Sequence, residues 1–195
     1  MRYPADQKAE THKKILDAAA RSFREHGSEG QGIAALMKDL GLTHGGFYKH
    51  FESKEDLFVN AVQRGLEEIR EQMLVAARGA RKGQELRAII EYYLSMEHLQ
   101  QIGGGCAIAA LGQEIGRQPV HIRAQINATQ RATMVALSPF LPGKSVVEKR
   151  NNFFVLFSGM TGAMVMARTI ADPAVQKEIL AAAKKFYLDA FVAKA

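Results

Sequence analysis

The sequence predicts an all-α protein, and three observations indicate that fold class. Apolar residues recur at helical spacing through most of the 195 residues. No alternating run of apolar and polar residues is long enough to indicate a sheet, and only 5 residues are proline. Glycine and proline lie mainly between the periodic segments, where helices end or begin. About nine helices are therefore expected.

The expected helices are separated by short links that contain glycine, serine or proline. They cover residues 6–26, 33–40, 43–51, 53–78, 84–101, 107–117, 121–137, 145–171 and 174–192. Three helices with tight breaks between them precede a long fourth helix, and longer helices follow. This order predicts an N-terminal domain of residues 1–55 joined to a helical C-terminal domain of residues 56–195.

Local end signals support the first four helices. Gly27 and Gly41 are suited to end the first and second helices. Thr43 can cap the third helix, and Ser53 followed by Asp56 resembles a capping box at the start of the fourth. The boundaries in this region therefore rest on residue chemistry as well as on periodicity.

The bulk composition describes an ordinary globular protein with a mild preference for anionic partners. Hydrophobic residues make up 47% of the chain, charged residues 24%, and the net charge is +6 at pH 7. The single cysteine excludes an intramolecular disulfide bond and suits a reducing cytosol. Residues 1–6 lack a signal-peptide pattern, and the uncharged stretch 151–167 is shorter than the roughly 20 apolar residues of a membrane span. We expect a cytoplasmic protein without a membrane partner.

Residues 33–51 have the pattern of a helix-turn-helix, whose second helix enters the major groove of DNA. The small, polar or basic residues at its outward positions are Thr43, His44, Gly45, Lys49 and His50. The apolar residues at its inward positions are Leu36, Leu40, Leu42, Phe47 and Phe51. Gly45 and Gly46 each cost about 1 kcal/mol relative to alanine in a helix, which is reasonable where the backbone must approach a groove closely.

The charge of this segment is modest, so DNA binding would depend on a few well-placed donors. The first 54 residues contain nine Lys or Arg and seven Asp or Glu, a net charge of +2. Lys54 is one such donor, because it begins the fourth helix and a helix N-terminus attracts phosphate. Taken singly, the same residues have simpler explanations, with Thr43 as a cap, Phe47 and Tyr48 as core, and Lys49 as a solvated charge.

An ordered set of residues surrounds this motif. It consists of Ile15-Leu16-Asp17-Ala18-Ala19, Phe23-Arg24-Glu25-His26-Gly27 and Met37-Lys38-Asp39-Leu40-Gly41-Leu42-Thr43-His44-Gly45-Gly46-Phe47-Tyr48-Lys49-His50-Phe51-Glu52-Ser53-Lys54-Glu55-Asp56-Leu57-Phe58. Over about residues 11–62, this set resembles the N-terminal domain of the tetracycline-repressor (TetR) family. A long ordered pattern of this kind is far more specific than a single short motif.

The resemblance implies an all-helical homodimer that binds a palindromic DNA operator and is released by a small inducer in its C-terminal domain. According to the resemblance, the residues that face bases or nearby phosphates are Thr43, His44, Gly45 and Gly46. The residues that hold the DNA backbone, according to the same resemblance, are Tyr48, His50 and Lys54. Gln31 and Gly32 depart from the family, which commonly has Thr or Ser there to cap the second helix and contact phosphate. Gln31 can still donate a hydrogen bond to DNA.

The stretch 153–166 is apolar on nearly every face, so a helix there must be covered all round. The core on one side and a second subunit on the other would cover it, and Gly159 and Gly162 would allow close helix approach. The resemblance implies a homodimer through the last two helices, 145–171 and 174–192. The alternative is a helix buried wholly within one subunit.

Several residues of the C-terminal half are candidates for a pocket that accepts a small apolar or electrophilic inducer. They are Tyr92, Met96, His98, Cys106, Met134, Phe153, Phe157 and Met160. Core packing is the alternative for the apolar members, and a structural or exposed role is the alternative for His98. Cys106 follows three glycines at an expected helix N-terminus, which favours a reactive thiolate, although a small inert core residue is the simpler interpretation.

The sequence lacks the motifs of an enzyme. It has no second cysteine, no His-Glu-x-x-His and no Gly-x-x-x-x-Gly-Lys. We therefore expect a transcriptional regulator without catalytic residues, cofactor or metal, and the resemblance favours repression over activation. The alternatives are a ligand-binding helical protein that does not bind an operator, and a thiol-based redox sensor that uses Cys106.

Overall fold

The computed structural model describes residues 5–30 and 32–192, and every regular element in those ranges is helical. The elements are α1 (Ala5–His26), α2 (Ile33–Asp39), α3 (His44–Phe47), α4 (Lys54–Gly79), α5 (Glu85–Tyr93), α6 (Met96–Gln100), α7 (Ala107–Arg117), α8 (Val120–Leu137), a short 3-10 turn (Ser138–Phe140), α9 (Val146–Arg168) and α10 (Pro173–Phe191). The all-α prediction is confirmed for this part of the chain. None of these helices is long and apolar enough to span a membrane.

The end signals of the N-terminal helices are present in the structure. Gly27 and Gly41 have φ angles of +78° and +69°, in the left-handed region that glycine adopts without strain. The hydroxyl of Thr43 caps α3, and the Ser53 hydroxyl accepts the backbone N–H of Asp56 at 3.0 Å at the start of α4. Local residue chemistry therefore sets both ends of the helix-turn-helix.

The helix expected over residues 84–101 is two helices, so the described ranges contain ten α-helices rather than nine. The chain leaves the helical path at Leu94, and Ser95 caps α6 by accepting the backbone N–H of His98 at 3.1 Å. The ring nitrogen Nδ1 of His98 lies 2.7 Å from the carbonyl oxygen of Tyr93. In a continuous helix, the backbone N–H of His98 and the carbonyl of Tyr93 would bond to other backbone groups. Here side chains bond to them instead, which stabilises the break between the two helices.

The third helix is also shorter than the expected 43–51. It ends at Phe47, and residues 48–50 form a turn. The N–H groups of Lys49 and His50 bond the carbonyls three residues before them, at 3.2 Å and 2.9 Å. Two glycines in a segment of this length lower its helix propensity, which is consistent with an early end.

Two hydrophobic cores share the long helix α4. The first core joins α1, α2 and α3 to the first half of α4, and its largest members include Ile15, Phe23, Met37, Phe47, Phe51, Leu57 and Phe58. The second core joins the remainder of α4, including Ile69, Met73 and Ala77, to α5, α9 and α10. One continuous helix therefore contributes side chains to both halves of the molecule.

A buried ion pair connects α1 to α4 inside the first half of the molecule. Nη2 of Arg24 lies 2.7 Å from a carboxylate oxygen of Glu68, and the Arg24 side chain is only 3% exposed. Arg64 bridges the two helices as well, at 2.9 Å from Asp17 and 3.2 Å from Glu68. Gly65 leaves the space that the Arg24 guanidinium occupies, since a Cβ at that position would collide with it. The α1–α4 contact therefore depends on both charge and close packing.

Helix α9 buries one face and exposes another. Leu156, Met160 and Met164 are fully buried in the second core. On the α10 side, the ring of Tyr187 fills the space that a side chain at Gly159 would need. Other apolar residues of α9 remain exposed in the single chain. The sequence predicted that this helix is covered on every face, and one subunit covers only part of it.

Helix α7 packs against both halves of the molecule. Leu111 and Ile115 lie in the first core, while Cys106, which precedes the helix, lies in the second. Near the C-terminal end of α7, Glu114 accepts hydrogen bonds from the backbone N–H and the hydroxyl of Ser28, just after α1. The Glu114 carboxylate therefore links α7 to the segment that follows α1.

Candidate nucleic-acid interface and internal cavity

The surface around α3 presents the small and polar residues expected of a recognition helix. Thr43, His44, Gly45, Tyr48 and Lys49 are all exposed, while Phe47 of the same segment is completely buried. Phe47 anchors the segment by stacking on Phe51 at 5.7 Å between ring centroids. The rings of His44 and Tyr48 meet edge to face at 5.9 Å, and Tyr48 is 61% exposed. The exposed face offers hydrogen-bond donors and acceptors with little bulk.

The two glycines of α3 differ in their surroundings. A Cβ at Gly45 would meet no atom within 4 Å, and the residue is exposed. A Cβ at Gly46 would lie 3.3 Å from Oγ1 of Thr43 and 3.8 Å from Cε of Met37. Gly46 is therefore explained by packing within the protein, while nothing in the described chain explains the glycine at 45. A surface that approaches from outside would explain it.

His50 is turned partly towards α1 and away from the exposed face. It is half-buried, its ring centroid lies 6.1 Å from that of His12, and its Nδ1 has no hydrogen-bond partner among the described residues. Burial lowers the pKa of His50 below its ordinary value, and the positive charges of His12, Lys8 and Lys49 lower it further. A neutral imidazole is therefore favoured at this position.

Lys54 lies at the first position of α4 and forms an ion pair with Glu29 at 2.9 Å. The Glu29 side chain is 88% exposed, and exposed pairs of this kind contribute roughly 0–1 kcal/mol. A phosphate can therefore displace the carboxylate at little cost.

Gly32 is the N-cap of α2 and provides no side-chain cap, while Gln31 lies outside the described residues.

A cavity of about 1160 Å³, partly open to solvent, lies between α4, α5, α7, α8 and α9. Ligand sites commonly have volumes of about 300–1,000 Å³, so this space is large enough for a long or branched molecule. Its apolar wall includes Leu66, Ile69, Met73, Ile108, Met134 and Phe153. Its polar lining includes Tyr93, Asn127, Gln130, Arg131, Arg150 and Thr161.

The cavity contains half of the residues expected in a pocket. Cys106, Met134, Phe153 and Phe157 line it. The four expected residues that are not in its lining are Tyr92, Met96, His98 and Met160. Tyr92 turns towards Gln72 of α4, with which its hydroxyl forms a hydrogen bond, and Met160 is fully buried in the second core. The cavity also has lining residues that were not expected from the sequence, because isolated charges do not indicate which residues face a shared space; Arg131 and Arg150 are two of them.

His98 and Cys106 form a structural unit beside the cavity. Nε2 of His98 accepts the backbone N–H of Cys106 at 3.1 Å, while its Nδ1–H donates to the Tyr93 carbonyl at 2.7 Å. Both bonds together require a neutral imidazole that carries its proton on Nδ1. Burial lowers the pKa of His98 below its ordinary value, the hydrogen bond to Tyr93 opposes this shift, and the charge of Arg168 adds to it. His98 thus joins the end of α5 to the start of α7.

The protein should become less stable as pH falls from about 7.5 to about 5.5, and His98→Gln should weaken that dependence. Unfolded histidine binds a proton near pH 6.5, whereas the folded imidazole of His98 has a lowered pKa and resists protonation. Its contribution to stability is therefore complete above about pH 6.5 and is lost as the pH falls below that value. Urea unfolding of both proteins at each pH measures the difference.

The remaining histidines act as an internal control in this comparison. His50 also has a lowered pKa, but it is present in both proteins and adds the same pH dependence to each. Equal loss of stability in the wild type and in His98→Gln would contradict the assignment of a neutral, buried imidazole at this position.

The helix-turn-helix region is similar in sequence to a known protein family. Residues 15–61 match the family described as "Bacterial regulatory proteins, tetR family". A segment of 54 residues is 37% identical to the HTH-type transcriptional repressor AcnR of Corynebacterium glutamicum. That segment is 28% of this chain and 29% of AcnR, so the sequence similarity spans less than a third of either protein.

Solved structures extend the similarity in fold to nearly the whole chain. The reduced form of Escherichia coli NemR has a TM-score of 0.76 at 19% identity, covering 93% of this chain and 97% of that one. A TetR-family transcriptional regulator from Agrobacterium tumefaciens has a TM-score of 0.73 at 19% identity, covering 95% and 99%. AcnR and the Agrobacterium tumefaciens protein are regulators by name, in agreement with the prediction that the chain is not an enzyme.

Proposed function

We propose that this chain, which belongs to the TetR family of bacterial regulatory proteins, is a DNA-binding transcriptional repressor. Residues 1–55 would bind a palindromic operator, and residues 56–195 would provide the dimer contact and the effector cavity. A small, largely apolar inducer bound in that cavity would release the operator. The observation that best supports DNA binding is the exposed face of α3, where Gly45 has open space around it and polar residues flank it.

The exposed face has the chemistry that a DNA groove requires. Thr43, His44 and Lys49 supply donors and acceptors for base edges and phosphates, and Tyr48 supplies a hydroxyl. Phe47 holds the segment from below, so the donors are carried on a fixed backbone. His50 faces α1 more than solvent, so we assign it a supporting role beneath the surface rather than a base contact.

Selection from random duplex DNA tests the proposal. The purified protein is mixed with a library of random duplexes at moderate salt, and the retained sequences are then measured in a gel-shift assay. We expect an enriched palindrome with two equivalent half-sites. Retention of every duplex with equal affinity would contradict operator binding, and would favour the alternative of a ligand-binding protein without an operator.

Lys54→Ala should weaken operator binding and lower the dependence of log affinity on log salt by about one unit. Lys54 is the residue at the start of α4 that is expected to donate a hydrogen bond to a DNA phosphate. In the structure without DNA, its ammonium group is paired with the Glu29 carboxylate. Glu29→Gln should therefore strengthen binding by releasing the ammonium group. Affinity is measured by fluorescence anisotropy across a salt series, with Lys82→Ala as the control at an exposed lysine outside the N-terminal helices. An unchanged salt slope in Lys54→Ala would refute the phosphate contact.

We propose a homodimer formed by α9 and α10. Val155 of α9 is 56% exposed and Phe186 of α10 is 63% exposed, an unusual surface for two neighbouring helices of a monomer. Because Tyr187 packs onto Gly159, the two helices form one closely joined layer that a second copy can cover. Aromatic and branched apolar side chains of this kind are enriched in the buried centre of protein interfaces.

A charge at this surface should convert the dimer into monomers. Val155→Glu and Phe186→Glu would each place a carboxylate in an apolar interface, where it has no partner. Light scattering after size-exclusion chromatography measures the mass. Val120→Glu is the matched control, since Val120 is an exposed apolar residue of α8, outside the two helices. Dimers of unchanged mass and stability in both variants would exclude this surface.

A thiol sensor is a second candidate, and the position of Cys106 in the cavity wall favours it. Cys106 also precedes α7, which connects the cavity to the end of α1 through Glu114 and Ser28. The side chain is only 5% exposed, so a reagent would have to enter the cavity. Alkylation at neutral pH, followed by a gel-shift assay of the wild type and Cys106→Ser, tests it. Equal operator affinity before and after alkylation of the wild type would exclude the sensor.

A further inference from the structure

We infer that the cavity binds an amphipathic anion, with its apolar body between α4, α8 and α9 and its charged head at Arg131 and Arg150. The inference rests on the proposed regulatory function, because it names the chemical class of the effector. It is carried by the charge of the cavity lining, by the position of the two arginines, and by the apolar wall beside them.

The two arginines line the cavity from the two helices that the 138–145 connection joins. Arg131 is about two turns before the end of α8, and Arg150 is in the second turn of α9. The connection between these helices is short, and it is held against α9 because Nζ of Lys149 donates to the Ser138 carbonyl at 3.2 Å. Asn152 also donates to the Pro142 carbonyl at 2.9 Å. The end of α8 and the start of α9 are thus adjacent, and one arginine from each helix lines the cavity.

The two guanidinium groups have no counter-charge at the cavity. Arg131 and Arg150 are the only Lys or Arg residues in its lining, and no Asp or Glu of the described chain lines it. Neither arginine has an ion-pair or hydrogen-bond partner among the described residues. Helix α8 carries no acidic residue, and the Glu148 carboxylate of α9 already accepts the backbone N–H of Lys144 at 2.6 Å.

An anionic head satisfies these arginines better than the alternatives do. A guanidinium binds carboxylate or phosphate through paired N–H groups, and such charge-assisted bonds are stronger beside a low-dielectric wall. A cationic ligand would meet two positive charges without a carboxylate to compensate for them. A neutral ligand would leave both guanidinium groups to water. The two arginines therefore select the sign of the head group.

The wall next to the arginines is suited to an apolar body. Phe153 and Phe157 stack at 4.4 Å between ring centroids, and both line the cavity. Met134 of α8 adds an adaptable thioether, and Met73 of α4 lines the space as well. Asn127 and Gln130 of α8 provide neutral polar groups along the lining. An alkyl or aryl chain with one anionic end matches this arrangement.

Three probes of equal chain length test the sign of the head group. Calorimetric titration of the free protein, without DNA, compares dodecanoate, dodecanol and dodecylammonium below their micelle concentrations. Dodecanoate should bind at least about tenfold more tightly than either of the others, as one or two charge-assisted bonds imply. Dodecyl phosphate, measured in parallel, distinguishes a phosphate head from a carboxylate head. Equal or tighter binding of dodecanol or dodecylammonium would overturn the inference.

Variants of the two arginines identify the head-group site. Arg131→Gln and Arg150→Gln should each weaken dodecanoate binding about tenfold and leave dodecanol binding unchanged. Both side chains are exposed, so the fold should be retained, and Arg123→Gln is the matched control on α8 outside the lining. Phe157→Ala should weaken every probe. Unchanged dodecanoate binding in the double arginine variant would overturn the assignment.

The titrations are separable from the test of DNA binding. They use protein without DNA, so anion binding remains measurable even if no operator is found. Selective dodecanoate binding without any preferred duplex would support the anion site and contradict the regulator. A preferred palindrome without selective dodecanoate binding would support the regulator and contradict the anion site.

Discussion

Glu68→Ala should lower the free energy of unfolding by about 3 kcal/mol or more, because it leaves Arg24 buried without its carboxylate. The Arg24 side chain is 3% exposed, and its Nε and Nη1 already have no hydrogen-bond partner among the described residues. Removal of the 2.7 Å contact to Glu68 would leave the whole guanidinium charge uncompensated. Urea unfolding followed by circular dichroism measures the change.

Two further variants separate the charge effect from a general effect of changing α4. Glu67→Ala changes the neighbouring exposed glutamate and should alter stability by less than about 0.5 kcal/mol. Arg24→Met combined with Glu68→Leu removes both charges and should recover part of the loss, since apolar replacement of a buried pair is often nearly neutral. A loss in Glu68→Ala no larger than that in Glu67→Ala would show that the pair does not hold α1 against α4.

Gly45→Leu should abolish tight operator binding while leaving the fold intact. A Cβ at this position meets no atom of the described chain within 4 Å, and leucine has a higher helix propensity than glycine. On DNA, the leucine side chain would hold the backbone of α3 away from the base edges. Each good base contact contributes about 1–3 kcal/mol of discrimination, so we expect a loss of at least tenfold in operator affinity.

A glycine elsewhere in the chain provides the matched control. Gly116 lies in α7 and is exposed, and a Cβ placed there would also meet no atom within 4 Å. Gly116→Leu therefore makes the same chemical change away from α3, and this variant should keep wild-type operator affinity in the same anisotropy assay. Wild-type affinity in Gly45→Leu would show that α3 does not approach DNA closely and would move the interface elsewhere.

The parts of the fold that were predictable are those set by neighbouring residues. Gly27 and Gly41 end their helices with positive φ, and Thr43 and Ser53 cap the helices that follow, as their positions in the sequence indicated. Each of these features involves groups a few residues apart. The break between α5 and α6 is different, because His98 reaches both Tyr93 and Cys106, and the sequence does not indicate that second contact.

The candidate site was predictable only in part, for a geometric reason. Successive residues of a helix point about 100° apart, so Tyr93 lines the cavity while Tyr92 turns to Gln72. Arg131 and Arg150 are 19 positions apart in the sequence, and each alone has the character of a solvated charge. Their shared role follows from the way α8 and α9 enclose one space, which requires the tertiary structure.

The course of α4 through both hydrophobic cores has a consequence for how the protein melts. Leu57 and Phe58 complete the core around α1, and Ile69 and Met73 of the same helix belong to the other core. Loss of either core would expose one half of a helix whose other half remains packed. Heat should therefore produce one calorimetric transition for the whole chain, with matching calorimetric and van't Hoff enthalpies, rather than two transitions. The two halves would then unfold as a single cooperative unit.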